Sequence, residues 1–137
     1  MEIKFFAAMD TIPRTTAQMK GCRVVNGRPM FYTKKTVQDQ MNFYGAILKM
    51  HRPAQPIEGA VRVEIGFYYP AKRKKDIGAP KVTRPDLDNM AKSIIDSAMA
   101  VGYFKDDSQI CELHLSKIYS DVSGVFFYCS TIEEVME

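Results

Sequence analysis

The sequence is poor in cysteine and histidine, the residues from which small domains build staples and zinc centres. Cys22, Cys111 and Cys129 are odd in number, widely spaced and in no Cys-x-x-Cys pair. That pattern argues against a disulfide framework and a zinc site and suits a reducing cytosol, so a cytoplasmic location is expected. His51 and His114 lie far apart without thiol neighbours, and each reads as a surface or strand histidine rather than a ligand. No apolar run approaches the roughly 20 residues that a membrane-spanning helix needs, so no membrane association is expected. The N-terminal MEIKFFAAMDTIPR has only a short apolar patch behind an acidic residue, which reads as a first strand and not as a signal peptide. Internal repeats and low-complexity segments are absent.

What is present suits one domain spanning 1–137: the 137 residues are 46% apolar and 26% charged, enough for one hydrophobic core and too few for two. Acids are scarce in the first part of the chain. Residues 1–85 carry sixteen Lys/Arg against six Asp/Glu, whereas 86–137 carry three against ten, and the net charge of +3 conceals that division. A basic half beside an acidic half suits a metal site set in a polyanion-binding surface, and equally two halves that pair with each other.

Hydrophobic periodicity gives an α+β order. Ile3–Met9 reads as a strand, Thr11–Lys20 as a Pro/Thr-rich basic loop, and Cys22–Val25 with Met30–Tyr32 as a hairpin around Asn26-Gly27. Thr33 or Thr36 can cap a helix running to about Met50, with Val37, Met41, Tyr44 and Leu48 as its apolar stripe. Val61–Tyr69 alternates with period two, as does Ile110–Tyr119; Asp121–Gly124 reads as a turn and Val125–Cys129 as a last strand. Between them a helix from Leu87 to Val101 presents Leu87, Met90, Ala91, Ile94, Ala98 and Val101 on one face, with Gly102 as its stop. The expected fold is a small mixed or antiparallel sheet packed with two main helices.

Chemistry concentrates at Arg84-Pro-Asp-Leu-Asp-Asn-Met-Ala-Lys92. Asp88, Lys92 and Asp96 fall at i, i+4 and i+8, a polar ridge nearly opposite the apolar stripe, with Asp86 at the helix entry. Helix capping and i,i+4 pairing account for such residues without any function. Asp106-Asp107, just before the next strand, adds two carboxylates whose convergence with the first pair the spacing leaves open. Four clustered carboxylates would repel strongly without a cation, and hard oxygen donors favour Mg²⁺ or Mn²⁺. A calcium EF-hand starting at Asp86 fails, because Ala91 and Ser97 stand where Gly and Glu are required. Lys72, Arg73, Lys74, Lys75, Lys81 and Arg84, in the loop 70–84 just ahead of the acids, supply the cations that a phosphodiester backbone requires. Phosphodiester hydrolysis in turn draws on divalent ions.

Asp86-Leu-Asp-Asn89, Lys92, Gly102-Tyr-Phe-Lys-Asp-Asp-Ser-Gln109 and the strand to Lys117 resemble the RusA family of Holliday junction resolvases; Phe31-Tyr-Thr-Lys-Lys-Thr36 adds a weaker likeness. The resemblance implies a small α+β homodimer, often prophage-encoded, that binds four-way DNA junctions and nicks two strands symmetrically with Mg²⁺ and no small-molecule cofactor. It further implies that Asp86, Asp88 and Asp107 are essential metal-binding carboxylates, that Asp106 is an accessory ligand, and that Lys92 lies near the scissile phosphate. One departure is visible: in the family the basic residues can abut the DLDN motif, whereas here 76–82 intervenes with a single lysine. The alternatives are a non-catalytic DNA-binding protein and a nuclease acting on other branched or flap DNA.

Overall fold

The computed structural model describes residues 1–14, 20–33 and 35–133; within 20–37 only Val24 and Asn26–Arg28 are described with their side chains. The element order is β1 (Glu2–Ala8), β2 (Lys20–Val25), β3 (Arg28–Thr33), α1 (Lys35–His51), β4 (Val61–Pro70), α2 (Leu87–Ala100), β5 (Ile110–Ser120) and β6 (Gly124–Thr131). Short 3₁₀ turns occupy Lys74–Asp76 and Asp107–Gln109. The α+β expectation holds and most strand and helix limits agree to within two residues. Residues 15–19 of the basic loop before β2 lie outside the described residues, and so do the side chains of Thr33, Thr36 and Val37, on which the proposed cap and the first stripe position of α1 depend.

One four-stranded sheet has the order β1-β6-β4-β5, with β1/β6 and β6/β4 antiparallel and β4/β5 parallel. β2 and β3 form a separate two-stranded hairpin, closed as the sequence suggests by Asn26 (φ 53°) and Gly27 (φ 77°), both left-handed as a type I′ turn requires. Alternation places Val61, Val63, Ile65 and Phe67 of β4, and Val125, Phe127 and Cys129 of β6, on the face that the helices cover. Burial there pushes the Cys129 thiol up to about 11, so it remains a protonated apolar filler.

Helix α2 buries the stripe foreseen for it: Met90, Ala91, Ile94 and Ala98 are all about 1% exposed. Ser93 and Ser97 are buried as well, which the apolar pattern did not mark. Their small size lets α1 approach, and the Ser97 hydroxyl donates to the carbonyl of Ser93 (2.8 Å) and lies 3.4 Å from that of Met41. The α2 stop is as read: Val101 is the C-cap and Gly102 follows at φ 98°. His51 is exposed at the end of α1 and stacks on Phe5, with ring centroids 4.1 Å apart.

Tyr103 ties the two helices together. Its ring is fully buried and its hydroxyl donates to the Leu48 carbonyl at 2.6 Å, one of the last four carbonyls of α1, which have no partner within the helix. We expect Tyr103→Phe to leave that carbonyl buried and unpaired, lowering stability by about 1–3 kcal/mol. Urea unfolding should show a lower midpoint at unchanged slope.

Candidate active site

Parallel strands cannot be joined by a tight turn, so β4 reaches β5 through the loop 71–86 and the length of α2. The loop leaves from the C-terminal end of β4, and α2 then runs back against the strands. This sets Asp86 and Asp88 where α2 begins, near the far end of β5, and Asp106 and Asp107 where β5 starts. The chain thus carries two acidic stations at opposite ends of one crossover.

Asp86 is the N-cap residue of α2, with extended backbone (φ −70°, ψ 128°), yet its side chain makes no capping hydrogen bond. Asp88 is exposed in the first turn, and no cationic side chain among the described residues pairs with either carboxylate. The capping explanation therefore does not account for Asp86. Lys92 lies one turn on and reaches Asp96 at 3.5 Å, the i,i+4 pair that the ridge implied.

The entry to α2 is held by a residue to which the sequence assigned no role. The Lys117 ammonium, on the side of β5 that faces the helices, donates to the carbonyls of Thr83 (2.5 Å) and Pro85 (2.8 Å), fixing the backbone next to Asp86. A lysine among alternating strand residues gives no signal of such a contact.

At the second station the two acids differ. Asp106 is the N-cap of the 3₁₀ turn and accepts from the Ser108 amide at 2.9 Å. That amide first, then the Ser108 hydroxyl and a hydrogen bond with the Asp107 carboxyl, hold Asp106 below the usual carboxylate range. Gln109 completes a capping box: its Oε1 accepts from the amides of Lys105 (3.0 Å) and Asp106 (3.1 Å). Its Nε2 donates to the carbonyls of Ile57 (2.9 Å) and Gly59 (3.0 Å), which anchors the turn to the body. The Asp-x-x-Gln spacing of 106–109 is a readable capping-box signature that composition-level reasoning passed over.

An open cleft between α2 and β5 is lined by Asp88, Ala91, Lys92, Ile95, Asp107 and the β5 residues Ile110 to Leu115 that face it. Asp88, Lys92 and Asp107 therefore line one cleft, the first two from α2 and the third from the turn before β5, whereas Asp86 and Asp106 lie outside the lining. Among the described residues no three His, Cys, Asp or Glu side chains come close enough together to hold a metal ion. The full four-carboxylate cluster is thus not assembled within one chain. Magnesium, however, needs only one or two carboxylates together with waters and substrate phosphates, and the uncapped Asp86/Asp88 pair offers that donor set.

The basic loop divides in the same way. Lys72, Lys74, Lys75 and Arg84 are exposed, and none pairs with a carboxylate among the described residues. Arg73 is committed to Asp76 at 3.1 Å. The Lys81 ammonium sits 5.0 Å and 5.6 Å from the ring centroids of Tyr69 and Tyr119 and donates to the Thr83 hydroxyl, so it braces the loop. Lys117→Met should leave the fold intact while releasing this segment. Hydrogen exchange is expected to accelerate at Thr83, Arg84 and Asp86 and to remain unchanged in β4 and β6.

The model of the family described as Endodeoxyribonuclease RusA matches residues 11–127. A crossover junction endodeoxyribonuclease rusA from Lactococcus phage r1t is 33% identical over 127 residues, covering 91% of this chain and 95% of the relative. The protein YqaN of Bacillus subtilis (strain 168) is 32% identical over 90 residues, 58% of this chain and 63% of its own. On the breadth of these matches, the chain belongs to the RusA endodeoxyribonuclease family.

Proposed function

We propose that this protein is a Mg²⁺-dependent endodeoxyribonuclease that binds four-way DNA junctions as a homodimer in the cytoplasm and resolves them by paired symmetric nicks. The observation that carries this reading is the Asp86/Asp88 pair, uncapped and free of cationic partners among the described residues, at the end of a loop with exposed Lys72, Lys74, Lys75 and Arg84. Carboxylates placed against a polyanion's phosphates make sense only with a cation between them.

Asp86 and Asp88 would hold the divalent ion, Mg²⁺ or Mn²⁺, and Asp107, which lines the same cleft as Asp88, would join them as a third ligand only on a closer approach than one chain shows. When bound, the ion supplies Lewis-acid stabilisation at the reacting phosphate and lowers the pKa of water. The exposed loop cations dock the backbone and orient the scissile phosphate for in-line attack. Lys92, one turn below Asp88 and held only by a half-exposed ion pair, can turn its ammonium to the phosphate as negative charge builds there. Lys117 keeps the Asp86 backbone fixed while this occurs.

Asp88→Asn removes one anionic ligand without changing the size of the side chain. On a fixed four-way junction in Mg²⁺ we expect it to cut at least about 100-fold more slowly while binding the junction as tightly as the wild type. Cleavage at the wild-type rate would rule out this site. A panel containing linear duplex and flap DNA tests the junction preference in the same experiment.

A further inference from the structure

The basic segment between β1 and α1 takes no part in the site described above. We propose that its β2–β3 hairpin is a second DNA-binding element, which docks at the branch point of the four-way junction and supplies the preference for branched over linear DNA. This rests on the nuclease reading above and names the element that selects its substrate.

Both stems of the hairpin are rooted at the catalytic end of the sheet. β1 leaves the sheet where β4 and β5 end: Ala8 lies opposite Gly124, and the Met9 amide donates to the Ser123 carbonyl at 3.0 Å. Ile12, 4% exposed, then pins the outgoing chain to the core. Arg14 follows, close to Tyr69 near the end of β4. Burial holds the Tyr69 phenol above its ordinary range, and the Arg14 charge works against that. The Tyr69 hydroxyl in turn donates to the Met90 Sδ at 3.4 Å, in the first turn of α2. On the return side, Thr33 ends β3 two residues before Lys35 opens α1. α1 runs in the same direction as α2, since Ser97 lies against Met41 and Tyr103 reaches Leu48. The start of α1 is therefore beside the start of α2, where Asp86 and Asp88 stand.

The composition of this segment selects its partner. Residues 11–38 hold six Lys/Arg and no Asp/Glu, and Lys20, Arg23 and Arg28 lie in the two strands. Arg28 is exposed, and no carboxylate pairs with it among the described residues. Cations without a single acid, at the end of the molecule where the scissile strand must dock, suit phosphates. Among the described residues β2 and β3 pair only with each other, and a lone two-stranded ribbon is marginal in water, so a ligand that covers it also orders it. Strands of six residues give the ribbon a reach of about 20 Å, and it is narrow enough to enter a major groove. Charge alone would serve any duplex equally. Val24 adds the discrimination: it is 72% exposed, is paired with Pro29, and stands two residues before Asn26 of the turn. An apolar side chain near the tip of a basic element gains from contact with base-pair faces, which a continuous duplex keeps stacked and a branch point leaves open.

Binding to a fixed four-way junction and to linear duplex, measured in EDTA so that no strand is cut, tests this. The Arg23→Ala, Arg28→Ala double variant should bind the junction at least about 10-fold more weakly at physiological salt, and its slope of log affinity against log salt should be smaller by about 2. Val24→Ser keeps the charge. Its salt slope should be unchanged, and its affinity should fall by about 5-fold for the junction and not for the duplex. Both variants should keep the melting curve, light-scattering mass and Mn²⁺ affinity of the wild type. Unchanged junction affinity and slope in the double variant would overturn the proposal, and so would an equal loss on junction and duplex in Val24→Ser. A changed mass would show that the hairpin meets a second copy of the chain instead, and would also overturn it. A wild-type protein that binds the junction but cuts no DNA in Mg²⁺ would count against the nuclease reading, and the binding measurements would still judge the hairpin.

Discussion

Parallel pairing of β4 with β5 is the constraint on which the rest of the molecule depends. It obliges the chain to travel the length of the sheet between the two strands, and α2 makes that journey with Met90, Ala91, Ile94 and Ala98 pressed into the core. The opposite side of the helix is left exposed, and that side carries Asp88 and Lys92. The same geometry makes the two ends of the crossover chemically distinct, with a basic loop and two carboxylates at one end and an acidic turn at the other. Interior packing thus decides where every charged group of the site can stand.

Two local devices convert that layout into defined positions. Lys117 reaches across from β5 to the carbonyls of Thr83 and Pro85 and fixes the start of the helix, and Gln109 fastens the acidic turn to Ile57 and Gly59. Neither residue carries the chemistry, yet each sets the backbone next to a carboxylate. Lys81, clasped between two tyrosine rings, acts in the same supporting way, which leaves fewer loop cations free for DNA than the sequence alone suggests.

Much of this was legible from the residues. The period-two runs of β4 and β5, the apolar run of β6, the stripe of α2 and the Asn26-Gly27 turn are local patterns, and local patterns survive folding. The Asp86/Asp88 pair at the helix entry was also visible, because Pro85 and the apolar stripe fix where the helix must begin. What could not be read depends on contacts distant in sequence. The parallel sense of β4 and β5, the reach of Lys117 over 32 residues, and the separation of Asp107 from Asp86 are properties of topology. The carboxylates of 106–107 looked equivalent in the sequence, and only the capping box around Gln109 shows that Asp106 is occupied while Asp107 faces the cleft.

The proposed chemistry requires a divalent cation to be held by the carboxylates that open α2. Electron paramagnetic resonance of free Mn²⁺ measures this without DNA and without turnover. Titrating the wild-type protein should deplete the free-ion signal in a saturable way, and the Asp86→Asn, Asp88→Asn double variant, with its fold verified by its melting curve, should lose that depletion. If the double variant bound Mn²⁺ as tightly as the wild type, the cation would lie elsewhere and Asp86 and Asp88 would not be its ligands.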